Sequence, residues 1–244
     1  NSIWAPQMDF PITPNWDYST AIVHPRLNNS EIFSRYSLMA SSFDFEAVGG
    51  YFIYDDPALH QTKQIDTLTM QLIDLTIRPE YHRIAMGGGS FNVPVKDWLI
   101  RAEGAYYSGR YFQTENPSIT DASIKKNNLY YMAGVDYTIK GVKLSIQFIQ
   151  EHILNYEEGI VNDEWENTMT FLAKKDFLRE NLWIELFSYI GLNNSDALVR
   201  PKITYYFADG FDIQFGANLF FGEEGRFGQY NANDMFYLKF KYSF

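Results

Sequence analysis

The sequence predicts an all-β chain that folds as an antiparallel transmembrane β-barrel of about 11–12 strands. Three observations predict it. Polar and apolar residues alternate over segments of spanning length, short and long connections alternate between these segments, and no segment holds the roughly 18–20 consecutive apolar residues of a membrane helix. Because backbone polar groups must be paired inside a bilayer, a barrel is the remaining way for such a chain to cross one.

The clearest alternation lies at the end of the chain. One face of this last segment is apolar and carries Phe236, Leu238, Phe240, Tyr242 and Phe244. The other face carries Tyr237, Lys239, Lys241 and Ser243. The two segments before it, 199–207 and 211–221, repeat the pattern. A period of two is typical of strands with one apolar and one polar face.

Eight further segments alternate in the same way, each near the roughly 9–11 residues of a tilted membrane strand. In chain order they span 31–41, 44–55, 81–91, 97–108, 128–139, 142–153, 164–174 and 181–191. Together with the last three segments they make about eleven strands.

The connections favour a membrane barrel over a soluble sandwich, because outer-membrane barrels have short turns at one end and long loops at the other. Short links at 41–44, 140–141 and 208–210 alternate with long ones at 56–80, 109–127, 155–163 and 222–233. Aromatic residues gather near both predicted strand ends, as they do at membrane interfaces. They are Trp98, Tyr137, Phe207 and Phe211 at the short-turn end, and Tyr51, Tyr106, Tyr131, Trp165 and Phe221 at the long-loop end.

Composition excludes several classes of protein. The chain has no cysteine, which excludes disulfides and thiolate metal sites. Its formal charge of -10 argues against a nucleic-acid partner. The histidines His24, His60 and His152 have no metal-ligand spacing, so no metal site is predicted, and no cofactor is expected. No leader with a charged and then an apolar part is visible at Asn1–Trp4.

The ending Tyr237–Phe244 resembles the C-terminal β-signal of Gram-negative outer-membrane proteins, with Phe240, Tyr242 and Phe244 at its apolar positions. That resemblance implies recognition by the barrel-assembly machinery. The stretches Trp98–Tyr106, Ala133–Tyr137 and Asp209–Phe244 resemble an uncharacterised porin-like family of outer-membrane barrels. This second resemblance implies transport without naming a substrate.

The strand count raises the question of further strands. Single-chain bacterial barrels have an even number, with both termini on the periplasmic side. Counted back from the end, the strand at 31–41 starts outside, so 1–30 is expected to be an extracellular-type loop, and 31–244 the barrel strands. Residues 17–24 are an alternative weak first strand. We expect earlier strands to lie outside this chain, which would then be the C-terminal part of a larger barrel.

We expect a pore that passes small polar or anionic solutes across the outer membrane. The predicted lining is charged and consists of Arg83, Arg101, Glu103, Asp136, Lys143, Glu185, Arg200, Lys202, Asp212, Lys239 and Lys241. The surrounding lipid and lipopolysaccharide are the expected partners. We expect no enzymatic activity. Two alternatives stay open: a barrel that holds a plug or partner protein, and a rim lipid hydrolase that uses Asp55, His82 and Ser108.

Overall fold

The structure, a computed structural model, describes residues 12–243. Phe244 of the expected assembly signal and the first eleven residues of the expected 1–30 loop lie outside this range. The strands are β1 (Asn15–Trp16), β2 (Ile32–Met39), β3 (Asp44–Ile53), β4 (Ala58–Ile65), β5 (Leu72–Glu80), β6 (Arg83–Val95), β7 (Trp98–Gln113), β8 (Ser123–Ile139), β9 (Val142–Ile153), β10 (Trp165–Phe177), β11 (Leu182–Gly191), β12 (Asp196–Ala208), β13 (Phe211–Phe221) and β14 (Met235–Tyr242).

Helix is confined to two short pieces in the described range, a 3-10 turn at Leu27–Asn29 and the four-residue α1 at Gly225–Gly228. Neither is long and apolar enough to span a membrane, and residues 12–243 contain no other helix that is.

The main sheet has 11 strands in the order β14-β13-β12-β11-β10-β9-β8-β7-β6-β3-β2, and every pair is antiparallel. These are the eleven strands that alternation predicts, so the all-β antiparallel prediction is confirmed. Within residues 12–243, β2 and β14 are edge strands with one neighbour each, and the sheet is therefore open.

Most connections sort by length as expected, but the one between β11 and β12 at the long-loop end, 192–195, is as short as those at the other end. At the short-turn end, β8 joins β9 through Lys140 and Gly141, whose φ angles of 49° and 76° fit the two-residue turn that needs positive φ at both positions. At the long-loop end, β7 and β8 pair as far as Gln113 and Ser123. Much of the segment 109–127, which was expected to be a loop, is therefore a protruding hairpin.

The segment 56–80 was also expected to be a loop and instead forms the β4–β5 hairpin. The alternating Leu75 and Ile77 of β5 are fully buried, so one face of this strand is covered. The two-residue β1 adds to β5 in parallel. Residues 17–24 form no strand, so the alternative first strand at that position is wrong.

The two faces of the main sheet have opposite burial from those of a soluble protein. Apolar side chains on one face are exposed, at 45% for Ile146, 44% for Ile203 and 50% for Phe215. On the other face, Asp136 and Thr170 are only 7% and 4% exposed. Burial of apolar surface away from solvent stabilises soluble folds. An exposed apolar face with a shielded polar face is the arrangement of a barrel wall in lipid.

Candidate pore lining and outer rim

Register places one polar row across β10, β11 and β12. Glu185 of β11 stands opposite Lys174 of β10 on one side and Lys202 of β12 on the other. Its carboxylate accepts a contact of 2.7 Å from Lys202 Nζ and one of 3.7 Å from Lys174 Nζ. One carboxylate thus serves two ammonium groups, so the row carries net positive charge.

The same row opens into a basic cavity of about 390 Å³ near the short-turn end. Its charged members are Lys174, Lys202, Lys239, Lys241, Glu185 and Asp212. Asp212 of β13 pairs in register with Lys241 of β14, and Gln214 pairs with Lys239. Among residues 12–243, no carboxylate lies within 4.0 Å of the Nζ atom of Lys239 or Lys241. The cavity therefore holds four lysines against two carboxylates.

Arg200 lies one pleat further along the same face of β12. Its Nε donates to Asn218 Oδ1 at 3.0 Å, and its side chain lines a second, smaller cavity with Lys202 and Glu185. Arg200 therefore extends the basic row toward the long-loop end.

A second charged group lies near the short turns of β7, β8 and β9. Arg101 Nη2 donates to Asp136 Oδ1 at 2.6 Å and to Ser145 Oγ at 3.2 Å. Lys143 Nζ lies 4.0 Å from the other oxygen of Asp136. Glu103, two residues beyond Arg101, lines a separate cavity of about 430 Å³ together with Glu46. The wall thus carries separate basic and acidic regions.

The structure contradicts the predicted position of Arg83 in the pore lining. Register sets Arg83 opposite Ile53, with Ala85 opposite Tyr51, and so puts Arg83 on the apolar face rather than on the face of Ser90 and Glu103. Its guanidinium donates to the carbonyls of Ser30 and Asn28 at 3.0 and 2.7 Å. The misassignment has a clear source, because Gly87, Gly88 and Gly89 interrupt the alternation of β6.

Arg110 is a polar-face residue that sequence reasoning missed. Its Nη1 donates to Glu151 Oε1 at 2.5 Å, and the guanidinium lies over the Tyr54 ring at 4.9 Å. Burial raises the pKa of Tyr54 to about 12, so its hydroxyl stays protonated. The register shift between Tyr107 and Arg110 is a bulge that returns Arg110 to the polar face. Gly109, directly after the predicted strand 97–108, was the available signal, because glycine often marks a bulge.

Three side chains that sequence spacing did not connect converge at the long-loop end of the main sheet. His60 of β4 and His82, between β5 and β6, face each other with 3.0 Å between their Nε2 atoms. Glu80 Oε1 lies 4.0 Å from His82 Nδ1. We name His60, Glu80 and His82 the histidine cluster. Burial lowers the pKa of His82, and its ring stacks on Tyr111 at 4.1 Å.

The β4–β5 hairpin brings this cluster together. His60 and Glu80 lie near its base, where Ala58 pairs with Glu80, and His82 follows two residues later. The contacts of the His82 ring are therefore made with His60, Tyr111 and Glu80. Ser108 lies opposite Ala85 and lines a different cavity, with Arg83 and Lys125.

Aromatic side chains form bands at both ends of the sheet. Trp98 stacks on Tyr137 at 4.2 Å at the short-turn end, and Trp165 stacks on His152 at 3.5 Å at the long-loop end. Such bands mark the two interfaces of a membrane barrel.

No protein-family model and no curated protein matches this sequence. Among solved structures, the chain is similar to Salmonella typhi OmpF in complex with daunomycin, with a TM-score of 0.53 and 12% identity over 86% of this chain and 61% of that one. It is also similar to OmpT of Vibrio cholerae, an outer membrane protein. The loop L8 deletion mutant gives a TM-score of 0.40 at 11% identity, over 87% of this chain and 89% of that one.

At this identity the likeness to OmpF concerns the fold alone, and the chain spans 61% of the OmpF chain's length. The antiparallel strand topology, the exposed apolar face with its shielded polar counterpart, and the likeness to OmpF all indicate the same fold. The chain has the fold of outer-membrane β-barrel proteins.

Proposed function

We propose that this chain forms the wall of a pore that passes small polar solutes across the outer membrane, with a preference for anions. The observation that supports the proposal most directly is the basic cavity on the shielded polar face. There, four lysines share two carboxylates. A wet, charged wall selects solutes by size and by electrostatic field.

The preference is expected to be weak. Two unit charges about 4 Å apart in water interact by about 1 kcal/mol. Glu185 already engages Lys202 and Lys174, which leaves Lys239 and Lys241 as the cations most open to a passing carboxylate or phosphate group. Such a solute would be guided along the wall rather than held there.

The test is the reversal potential of the full-length gene product in a planar bilayer under a salt gradient. The triple variant Lys202→Glu, Lys239→Glu and Lys241→Glu should shift the reversal potential toward cations. The corresponding triple Gln variant should shift it by a smaller amount in the same direction, because it removes charge without reversing it.

Lys63→Glu is the matched control, since Lys63 is exposed on the β4–β5 hairpin away from the cavity. It should leave the reversal potential unchanged. Heat-modifiable migration on gels would verify that each variant folds. A normally folded triple Glu variant with an unmoved reversal potential would remove these lysines from the conducting path and the proposal with them.

We also propose that the strands cross the outer membrane in multiple passes and that Phe240, Tyr242 and Phe244 act as the signal for barrel assembly. Phe240 and Tyr242 lie on the exposed apolar face of β14, at 60% and 66% exposure. β14 is an edge strand of the described sheet. An edge strand offers unpaired backbone groups to a partner strand, which supports its recognition by the barrel-assembly machinery.

A further inference from the structure

We propose that the histidine cluster is a Zn²⁺ site at the outer rim, with His60, His82 and Glu80 as ligands and Asp121 as the residue that orients His60. Among the described residues, one ligand atom from each of the three side chains lies within 4.8 Å of the others. Two imidazoles and one carboxylate form a ligand set that zinc uses when a further position is left to water.

The separations suit the metal. Tetrahedral zinc with Zn–N bonds of about 2.0–2.1 Å places neighbouring donor atoms about 3.3 Å apart. The Nε2 atoms of His60 and His82 are already 3.0 Å apart, so a small opening admits the ion. The Glu80 side chain is 38% exposed, and its ligand oxygen lies within 4.8 Å of the ligand nitrogens of both histidines.

A carboxylate on the far side of the His60 ring from the cluster, that of Asp121, fixes the orientation of this ring. Its Nδ1 lies 3.1 Å from Asp121 Oδ2, so the proton resides on Nδ1 and the Nε2 lone pair points into the cluster. Metal-binding histidines regularly donate their second ring N–H to a carboxylate, which fixes both tautomer and ring orientation. The backbone strengthens this arrangement, because Gln61 N donates to Asp121 O at 2.8 Å.

The framework around the ligands is rigid. The His82 ring stacks on Tyr111 of β7, and the edge of His60 meets the same ring at 5.6 Å. The backbone carbonyl of His82 accepts from Tyr54 N at 2.9 Å. The His60 side chain is only 11% exposed. Ligands held in this way lose little conformational freedom when they bind a metal.

The bound ion would join separate segments of the chain. His60 belongs to β4, Glu80 ends β5, His82 precedes β6, and Asp121 comes from the β7–β8 connection. The metal would therefore fasten the base of the β4–β5 hairpin to the rim of the sheet.

The test is a Co²⁺ titration of the full-length chain in detergent, read by visible absorption. Imidazole ligands suit Co²⁺ as well as Zn²⁺, and the chain has no cysteine whose thiolate would contribute to the spectrum. We expect saturation at one Co²⁺ per chain and displacement of Co²⁺ by Zn²⁺. His82→Ala and His60→Gln should each weaken binding about 100-fold or more, beyond the 10–100-fold of an outer-shell partner.

His152→Ala is the matched control. His152 is another rim histidine with a carboxylate nearby, Glu164 at 3.8 Å, but within residues 12–243 it belongs to no cluster of three potential metal ligands. The Co²⁺ affinity of this variant should equal that of the native chain. An equal loss in His152→Ala and His82→Ala, or no saturable Co²⁺ or Zn²⁺ binding by the native chain, would overturn the proposal.

If the histidine variants misfold, Asp121→Asn and Glu80→Gln provide a second test of the site. The Asp121 side chain is 50% exposed, so its replacement should leave the fold intact. Asp121→Asn should lower Co²⁺ affinity about 10–100-fold while the spectrum keeps its shape. Glu80→Gln should change the spectrum itself, because a ligand atom is lost. Native affinity and spectrum in both variants would reject the assignment.

Discussion

The ion pair between Arg101 and Asp136 shows how single charges are accommodated on the polar face. The Asp136 side chain is 10% exposed and that of Arg101 is 27% exposed, so both are largely shielded from water. A shielded charge that loses its partner is costly, whereas removal of both charges is often neutral. The pair therefore stabilises the wall mainly because each charge prevents the other from being left alone.

Asp136→Ala should accordingly lower the free energy of unfolding by about 1–3 kcal/mol, because it leaves the hydrogen-bonding capacity of Arg101 unsatisfied. The double variant Arg101→Met with Asp136→Ala should recover most of that loss. Urea unfolding in detergent micelles, followed by circular dichroism, measures both values. A double variant less stable than Asp136→Ala would mean that the two residues stabilise the wall independently.

At the level of strands, the three consecutive glycines of β6 allow close packing between β3, β6 and β7. A Cβ on Gly88 would lie 2.6 Å from the carbonyl oxygen of Gly104, and one on Gly89 would lie 2.6 Å from that of Glu46. A Cβ on Gly87 would meet nothing within 4 Å. Close packing of the strands therefore requires glycine at positions 88 and 89 but not at position 87.

Gly88→Ala should destabilise the sheet by about 1–3 kcal/mol, the usual range for overpacking. Gly87→Ala should be neutral or slightly stabilising, because it restricts the unfolded chain without a clash. Temperatures of unfolding on heat-modifiability gels would rank the two variants. Equal losses from both would attribute the effect to lost backbone freedom rather than to contact with Gly104.

The final strand supplies a second prediction at this level. Deletion of Phe244 should lower the amount of protein in the outer membrane and lead to its degradation in the periplasm, because the assembly machinery would bind the chain poorly. Membrane fractionation with immunoblotting measures this, and replacement of the exposed Leu68 by Ala is the control for a general effect of losing an apolar side chain. Unchanged outer-membrane levels after the deletion would contradict the proposed signal.

Sequence predicted the sheet well because its evidence is local: alternation along a strand requires no knowledge of distant residues. The eleven strands, their antiparallel pairing and the contrast between short and long connections follow from it. The side of the sheet on which Arg83 lies could not be predicted, because glycines interrupt the alternation of β6. The histidine cluster could not be predicted either, because His60 and His82 come together only when the segment 56–80 folds as a hairpin.

For the whole molecule, the sorting of connections predicts an orientation in the membrane, with the long-loop end outside the cell. The natural absence of cysteine makes this testable with single cysteines. Leu68→Cys, between β4 and β5, should react with a membrane-impermeant maleimide on intact cells, since Leu68 is 93% exposed. Ser41→Cys, in the short connection between β2 and β3, should react only after the outer membrane is permeabilised. Labelling of Ser41→Cys alone on intact cells would reverse the orientation.

The order of the sheet also bears on how the chain assembles. Every pairing in it joins strands that are consecutive in sequence, except that of β3 with β6. The entropy lost in closing a loop rises with the logarithm of its length, so neighbouring hairpins can zip together in turn. The pairing of β3 with β6 instead closes a longer loop, which contains the β4–β5 hairpin. We therefore expect two ribbons, β2–β3 and β6–β14, that form separately and then join through the pairing of β3 with β6, which includes the three β6 glycines.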